Sequence, residues 1–162
     1  MTPLSDFELT QRLLVAALFG ALLGIEREIR HKTAGVRTNI LIAIGSAVFT
    51  IVSFQIAGTA GGDPGRIAAQ IVTGIGFLGA GSIIRTEDKI HGLTTAATVW
   101  VNAAVGVAAG AGEYHLAVIG TLVSLGVLLL IYPLERKIEE RIGGQHATDR
   151  RSTDEAGRRP SL

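Results

Sequence analysis

The chain contains no cysteine. That rules out disulfides, thiolate nucleophiles and cysteine-ligated zinc. Charge is also missing over long distances. No Asp, Glu, Lys or Arg occurs in residues 38–62, 67–84, 92–112 or 116–134. These stretches therefore offer no carboxylate at which a pump could strip a cation of its water. The net charge of +1 supplies no field that would draw nucleic acid to the chain. His31, His91, His115 and His146 are spaced neither as metal ligands nor beside a serine or carboxylate partner. No catalytic grouping emerges, and the chain reads as non-enzymatic.

What remains is grease and glycine. Apolar residues make up 48% of the 162, and 21 are glycine. A helix that crosses a bilayer core needs roughly 17–25 apolar residues, and the four charge-free stretches meet that. A fifth, Leu13–Ile25, lies between Arg12 and Glu26. Extended back to Leu9 it also spans, with Arg12 snorkelling to the near interface. The expected fold is all-α: a polytopic membrane protein with five transmembrane helices, at about 9–26, 38–58, 67–85, 93–112 and 115–134. A cleaved signal followed by a soluble core would not show four further apolar runs.

Lys and Arg set the orientation. Arg27, Arg30, Lys32 and Arg37 follow the first helix, Arg85 and Lys89 the third, and seven more lie beyond residue 134. Against these stand Arg12 and Arg66. The N-terminus is expected outside and the C-terminus in the cytoplasm. Leu134, Ile138 and Ile142, spaced i, i+4, i+8, suggest an amphipathic continuation along the cytoplasmic surface. The transmembrane domain is then 1–142, and the polar segment 143–162 is expected to be disordered.

"TGIGFLGAGSIIR" (73–85) contains G-x-G-x-x-G at Gly74, Gly76 and Gly79. A dinucleotide loop needs a strand before it and an acid about 20 residues on, and neither is present. In a membrane, small residues let helix backbones approach closely. At 100° per residue, Gly74 and Gly81 share one face and Gly76 and Gly79 the opposite one. The third helix is therefore expected between two neighbours at the centre of the bundle. Gly20 and Gly24, and Gly106 and Gly110, form G-x-x-x-G pairs in the first and fourth helices. The large aliphatics of the fifth suggest a lipid-facing outer member. "GVRTNILIAIGSAV" (35–48) faintly echoes "GLTTAATVWVNAAV" (92–105), as a parallel repeat would.

Polar residues inside a membrane are costly and are candidates for function. Thr94, Thr98 and Asn102 form a stripe at i, i+4, i+8, with Thr95 alongside. Asn39, Ser46, Thr50 and Ser53 share a face of the second helix, and Gln70 and Thr73 lie near the outer end of the third. Interhelical hydrogen bonding accounts for the hydroxyls. The Asn102 amide has more bonding groups than the backbone can satisfy, and the indole of Trp100, deep in its segment, needs a partner. Glu26, at the membrane edge, calls for a cation. Arg27 is adjacent and should point elsewhere, so Arg37 or Arg85 is the expected partner. Glu26, Glu28 and Asp88 are weak Mg²⁺ candidates, since magnesium needs one or two carboxylates and keeps its waters.

"GIERE" (24–28), "AGVRTNILIAIGSAVF" (34–49), "GIGFLGAGSIIR" (74–85) and "GLTTAATVWVNAAVGVAAGAGEY" (92–114) together resemble the MgtC/SapB family of bacterial inner-membrane proteins. The resemblance covers about residues 8–134. It implies a role in growth at low magnesium, exerted on membrane partners such as the proton-translocating ATP synthase or sensor kinases. The family pattern falls on Glu26, Arg27, Arg37, Thr38, Gly76, Gly79, Gly81, Arg85, Thr94 and Thr95. Virulence-linked members often have Asn in place of Thr94 and Cys-Ser in place of Val101-Asn102. Many also have a folded cytosolic domain where this chain has a polar tail. The expected function is regulation of magnesium or membrane-energy homeostasis through contacts in the bilayer. Two alternatives stay open: a cation channel or transporter lined by the polar faces of the second and fourth helices, and a structural homo-oligomer built on glycine faces.

Overall fold

Ser5 starts the first helix. Its hydroxyl accepts the Glu8 N–H, and the Glu8 carboxylate accepts the Ser5 N–H at 2.8 Å, a reciprocal cap. The helix therefore begins at residue 6, three earlier than charge spacing suggested. The structure is a computed structural model and describes residues 4–60, 62–87 and 89–131. In chain order it contains α1 (Asp6–Ile29), α2 (Val36–Ala60), α3 (Gly65–Gly81), β1 (Ile84–Arg85), β2 (Ile90–His91), α4 (Leu93–Ala111) and α5 (Tyr114–Ile131). The chain divides into two units, residues 1–125 and 126–162; of the second, only the last turns of α5 are described. The expected end of the fifth helix at 134, the amphipathic continuation and the 143–162 tail lie outside the described residues, as does Asp88.

Four helices are long and apolar enough to cross a membrane: Asp6–Ile29, Val36–Gly58, Leu93–Ala111 and Tyr114–Ile131. At 17 residues, α3 measures about 26 Å, just short of a full hydrocarbon core. The expected helix to residue 85 ends instead at Gly81. The Ser82 N–H and hydroxyl both bond the Gly79 carbonyl, and the β-branched pair Ile83-Ile84 turns into an antiparallel hairpin, with Ile84 opposite His91 and Arg85 opposite Ile90. Gly92 then opens α4. Its φ is +90°, and a Cβ there would strike the Ser82 carbonyl, so only glycine fits.

Within residues 4–125, α2 is the central element. Gly20 and Gly24 of α1 lie against its first turns: a Cβ on Gly20 would come 2.7 Å from the Asn39 carbonyl, and one on Gly24 2.7 Å from Val36 Cα. On α4, Gly106 meets Ala43, and a Cβ on Gly110 would come 2.6 Å from the Ala47 carbonyl. Two consequences follow from the contacting pairs. α1 runs antiparallel to α2, and α2 runs parallel to α4, with partners 63 residues apart (Asn39–Asn102, Ala43–Gly106, Ala47–Gly110). The core between them is mostly alanine: Ala16, Ala43, Ala47, Ala108, Ala109 and Ala117. Arg12 closes one end of the bundle by donating to the Gly110 carbonyl at 2.6 Å, a cation at a helix C-terminus.

The expected central place of the third helix is not what the structure has. α3 touches α2 and α4 along one side only, through Ile71, Ile75 and Gly79, where a Cβ would come 3.7 Å from Ala96. Gly74, Gly76 and Gly81 face open space, with nothing within 4 Å of where a Cβ would sit. Glycines permit close approach but do not say where the neighbour is. As expected of an outer helix, α5 buries little: Ala117 and Thr121 face inward, and Leu116, Leu122 and Val123 outward.

Candidate functional site

Polar residues gather where α2 and α4 meet. Asn39, Ser46, Thr50 and Ser53 are all buried on one face of α2. On α4 the buried set is Thr95, Thr98 and Asn102, while Thr94 is exposed, so the inward stripe runs i, i+3, i+7 rather than i, i+4, i+8. Most hydroxyls bond backbone carbonyls. Thr50 bonds Ser46, Thr98 bonds Thr94 and Thr121 bonds Ala117, each at 2.8 Å, and Ser53 reaches the Pro64 carbonyl at 2.5 Å.

The two asparagines behave differently. Both are fully buried. Asn102 Nδ2 donates to the Asn39 carbonyl at 2.7 Å and to Asn39 Oδ1 at 3.2 Å. Asn39 Nδ2 in turn donates to the carbonyls of Ala34 and Gly35, at 2.8 and 2.9 Å. Asn39 is thus held between the glycine face of α1 and the amide of α4. Asn102 Oδ1 is left buried with no partner among the described residues. An unsatisfied acceptor costs about 1–3 kcal/mol, a strained arrangement that stability alone does not call for.

The second polar group closes α1. Glu26 and Arg27 are buried, at 6% and 2% exposure. Arg27 Nε donates to Glu26 Oε2, and Arg30 Nε lies 2.5 Å from Glu26 Oε1. This corrects the expected pairing of Glu26 with Arg37 or Arg85, and the expectation that Arg27 points away. Neighbours on a helix do not face each other, but a long arginine in the last turn can fold back to an adjacent carboxylate. Arg30 sits at i+4 from Glu26, a spacing legible in the sequence and not used. Glu28 takes another role: its Oε2 accepts the Val36 N–H at 3.1 Å and caps α2. Among the described residues no three His, Asp or Glu side chains gather as a metal site.

The other candidates are spread out. Arg37 and Thr38 are exposed at the start of α2, and Arg85 is exposed on the hairpin. Trp100, expected to lie deep and need a partner, is half exposed on the outer side of α4. Gln70 and Thr73 are exposed on α3. Between α2 and α3 opens a cleft of about 650 Å³, lined mostly by aliphatic side chains, with Arg37 at one end and Gly45 and Gly74 in its walls.

A model of the MgtC family matches residues 13–137, which runs from within α1 through α5 and includes the whole polar centre. The chain belongs to the MgtC family. Among relatives, it is 48% identical over 124 residues to Protein MgtC of Brucella abortus, covering 76% of this chain and 51% of that one. Protein MgtC of Salmonella typhimurium is 47% identical over 128 residues, 79% of this chain and 54% of that one. A third relative, from Escherichia coli, is named "Putative magnesium transporter YhiD" and is 47% identical over 129 residues, 76% of this chain and 60% of that one. The chain thus spans little more than half the length of the MgtC relatives it matches. No solved structure matches. Family membership and the apolar helices together describe a multi-pass membrane protein of the MgtC family.

Proposed function

We propose that the chain is a non-enzymatic, five-span protein of the bacterial inner membrane that regulates magnesium or membrane-energy homeostasis by contact with other membrane proteins. The observation that carries this reading is the closure of the polar faces. A channel along α2 and α4 would turn Asn39, Ser46, Asn102 and Thr98 toward water. Instead these side chains are buried against neighbouring helices. Five spans are favoured by the parallel course of α2 and α4, because the chain between them has to return, and α3 is the helix available to do so. The Lys and Arg bias favours an outside N-terminus.

The transporter reading keeps one support, the name given to the Escherichia coli relative. Proteoliposomes separate the two. The expected result is no saturable Mg²⁺ uptake, with another membrane complex, such as ATP synthase or a sensor kinase, retained on the tagged chain from native membranes. Saturable uptake that Asn102→Leu abolishes would transfer the function to transport.

A further inference from the structure

The cleft between α2 and α3, of about 650 Å³, is asymmetric. One end carries Arg37, which has no ion-pair or hydrogen-bond partner among the described residues. The walls are mostly aliphatic, with Leu41, Ile42, Ile71 and Leu78 among them, and the polar Thr38, Ser46 and Gln70 interrupt them. From Arg37 to Phe49 it follows α2 for 12 residues, about 18 Å. That is close to half of a hydrocarbon core of about 30 Å, the depth of one leaflet. Glycines at positions 45 and 74 keep the walls thin, with nothing within 4 Å of where either Cβ would point.

We propose that this cleft is a binding site for one anionic phospholipid, its phosphate on Arg37 and an acyl chain lying between α2 and α3. The charge decides the headgroup and the length decides the chain. Arg37 stands at the end of the bundle shared by Arg27, Arg30, Lys32, Arg85 and Lys89, where the two loops rich in Lys and Arg meet. A basic residue at that level attracts anionic lipid, and Thr38 beside it offers a hydroxyl to the same phosphate. The site depends on the chain being embedded in a membrane and is independent of the regulatory function proposed above.

The test uses the full chain in mixed vesicles of phosphatidylglycerol and phosphatidylcholine, brominated on one lipid at a time. Trp100→Phe removes the single native tryptophan, and Leu41→Trp places an indole on the cleft wall. Expected is quenching by brominated phosphatidylglycerol at about five-fold lower mole fraction than by brominated phosphatidylcholine. Arg37→Gln should erase that preference, Arg37→Lys should keep it, and Arg66→Gln, at the opposite end, should not alter it. Gly74→Leu should reduce quenching by both lipids while leaving the unfolding midpoint in detergent unchanged, which separates a filled cleft from a misfolded chain. Equal quenching by the two lipids, or a preference that survives Arg37→Gln, overturns the proposal. So does efficient disulfide cross-linking of Leu41→Cys between copies, because a second chain would then occupy the cleft.

Discussion

Asn102 places both of its donor contacts on one residue, Asn39, and keeps a buried acceptor idle. Removing the amide with Asn102→Leu should lower stability by about 1–2 kcal/mol, read as a drop in the thermal midpoint in detergent. In a double-mutant cycle with Asn39→Ala, the two losses should not add. That Asn102 would matter was legible, because no backbone bond can satisfy a whole amide. Its partner was not, because the sequence does not give the depth at which two helices cross. The same limit explains Glu26. Its need for a cation could be read from its place at the membrane edge, but the choice between Arg27, Arg30, Arg37 and Arg85 depends on which side chains share the interior. Glu26→Gln should cost about 3 kcal/mol, since it strands the buried Arg27 charge. A charge swap between Glu26 and Arg37 should give no rescue, whereas a swap with Arg30 should recover part of the loss.

At the scale of helices, the glycines divide into two classes that look alike in the sequence. Gly20, Gly24, Gly106 and Gly110 press onto the backbone of α2, and Gly74, Gly76 and Gly81 face open space. Leucine at Gly106 or Gly110 should therefore destabilise by at least about 1–3 kcal/mol, or prevent folding. Leucine at Gly76 should leave the unfolding midpoint within error. A screen of folded yield across these positions checks both halves. Pairwise spacing at i, i+4 marked the first class correctly, whereas the density of glycine in α3 misled: a crowded motif is no measure of crowding in space. The hairpin at Ile84–His91 also escaped the sequence reading, because strands of two residues carry no periodicity to detect.

For the molecule as a whole, the apolar surface is turned outward. Leu14, Leu41, Phe49, Phe77 and Leu122 are more than half exposed, while alanine and hydroxyl residues make up much of the interior beside Leu23, Ile71, Ile75 and Val99. This suits a solvent of lipid tails, where packing rather than greasiness holds helices together. Charge-free runs gave that conclusion from the sequence alone. They could not rank the helices by position, since a run without charge reads the same whether lipid or another helix lies beside it. The absence of native cysteine makes topology directly testable with single-cysteine variants. Lys32→Cys and Thr86→Cys should react with an impermeant maleimide from one side of the membrane, and Asp63→Cys from the other. Labelling of all three from the same side would mean that α3 does not cross.

The double role of α2 has a consequence during synthesis. A ribosome delivers α1 and α2 first, and their glycine-to-backbone contact can close at once. The Asn39 carbonyl and Oδ1, which accept from Asn102, stay without that donor until α4 emerges some fifty residues later. Through that interval a half-built chain carries a wet seam into oil, so a stall or truncation before residue 93 leaves a product that quality-control proteases can recognise by that seam.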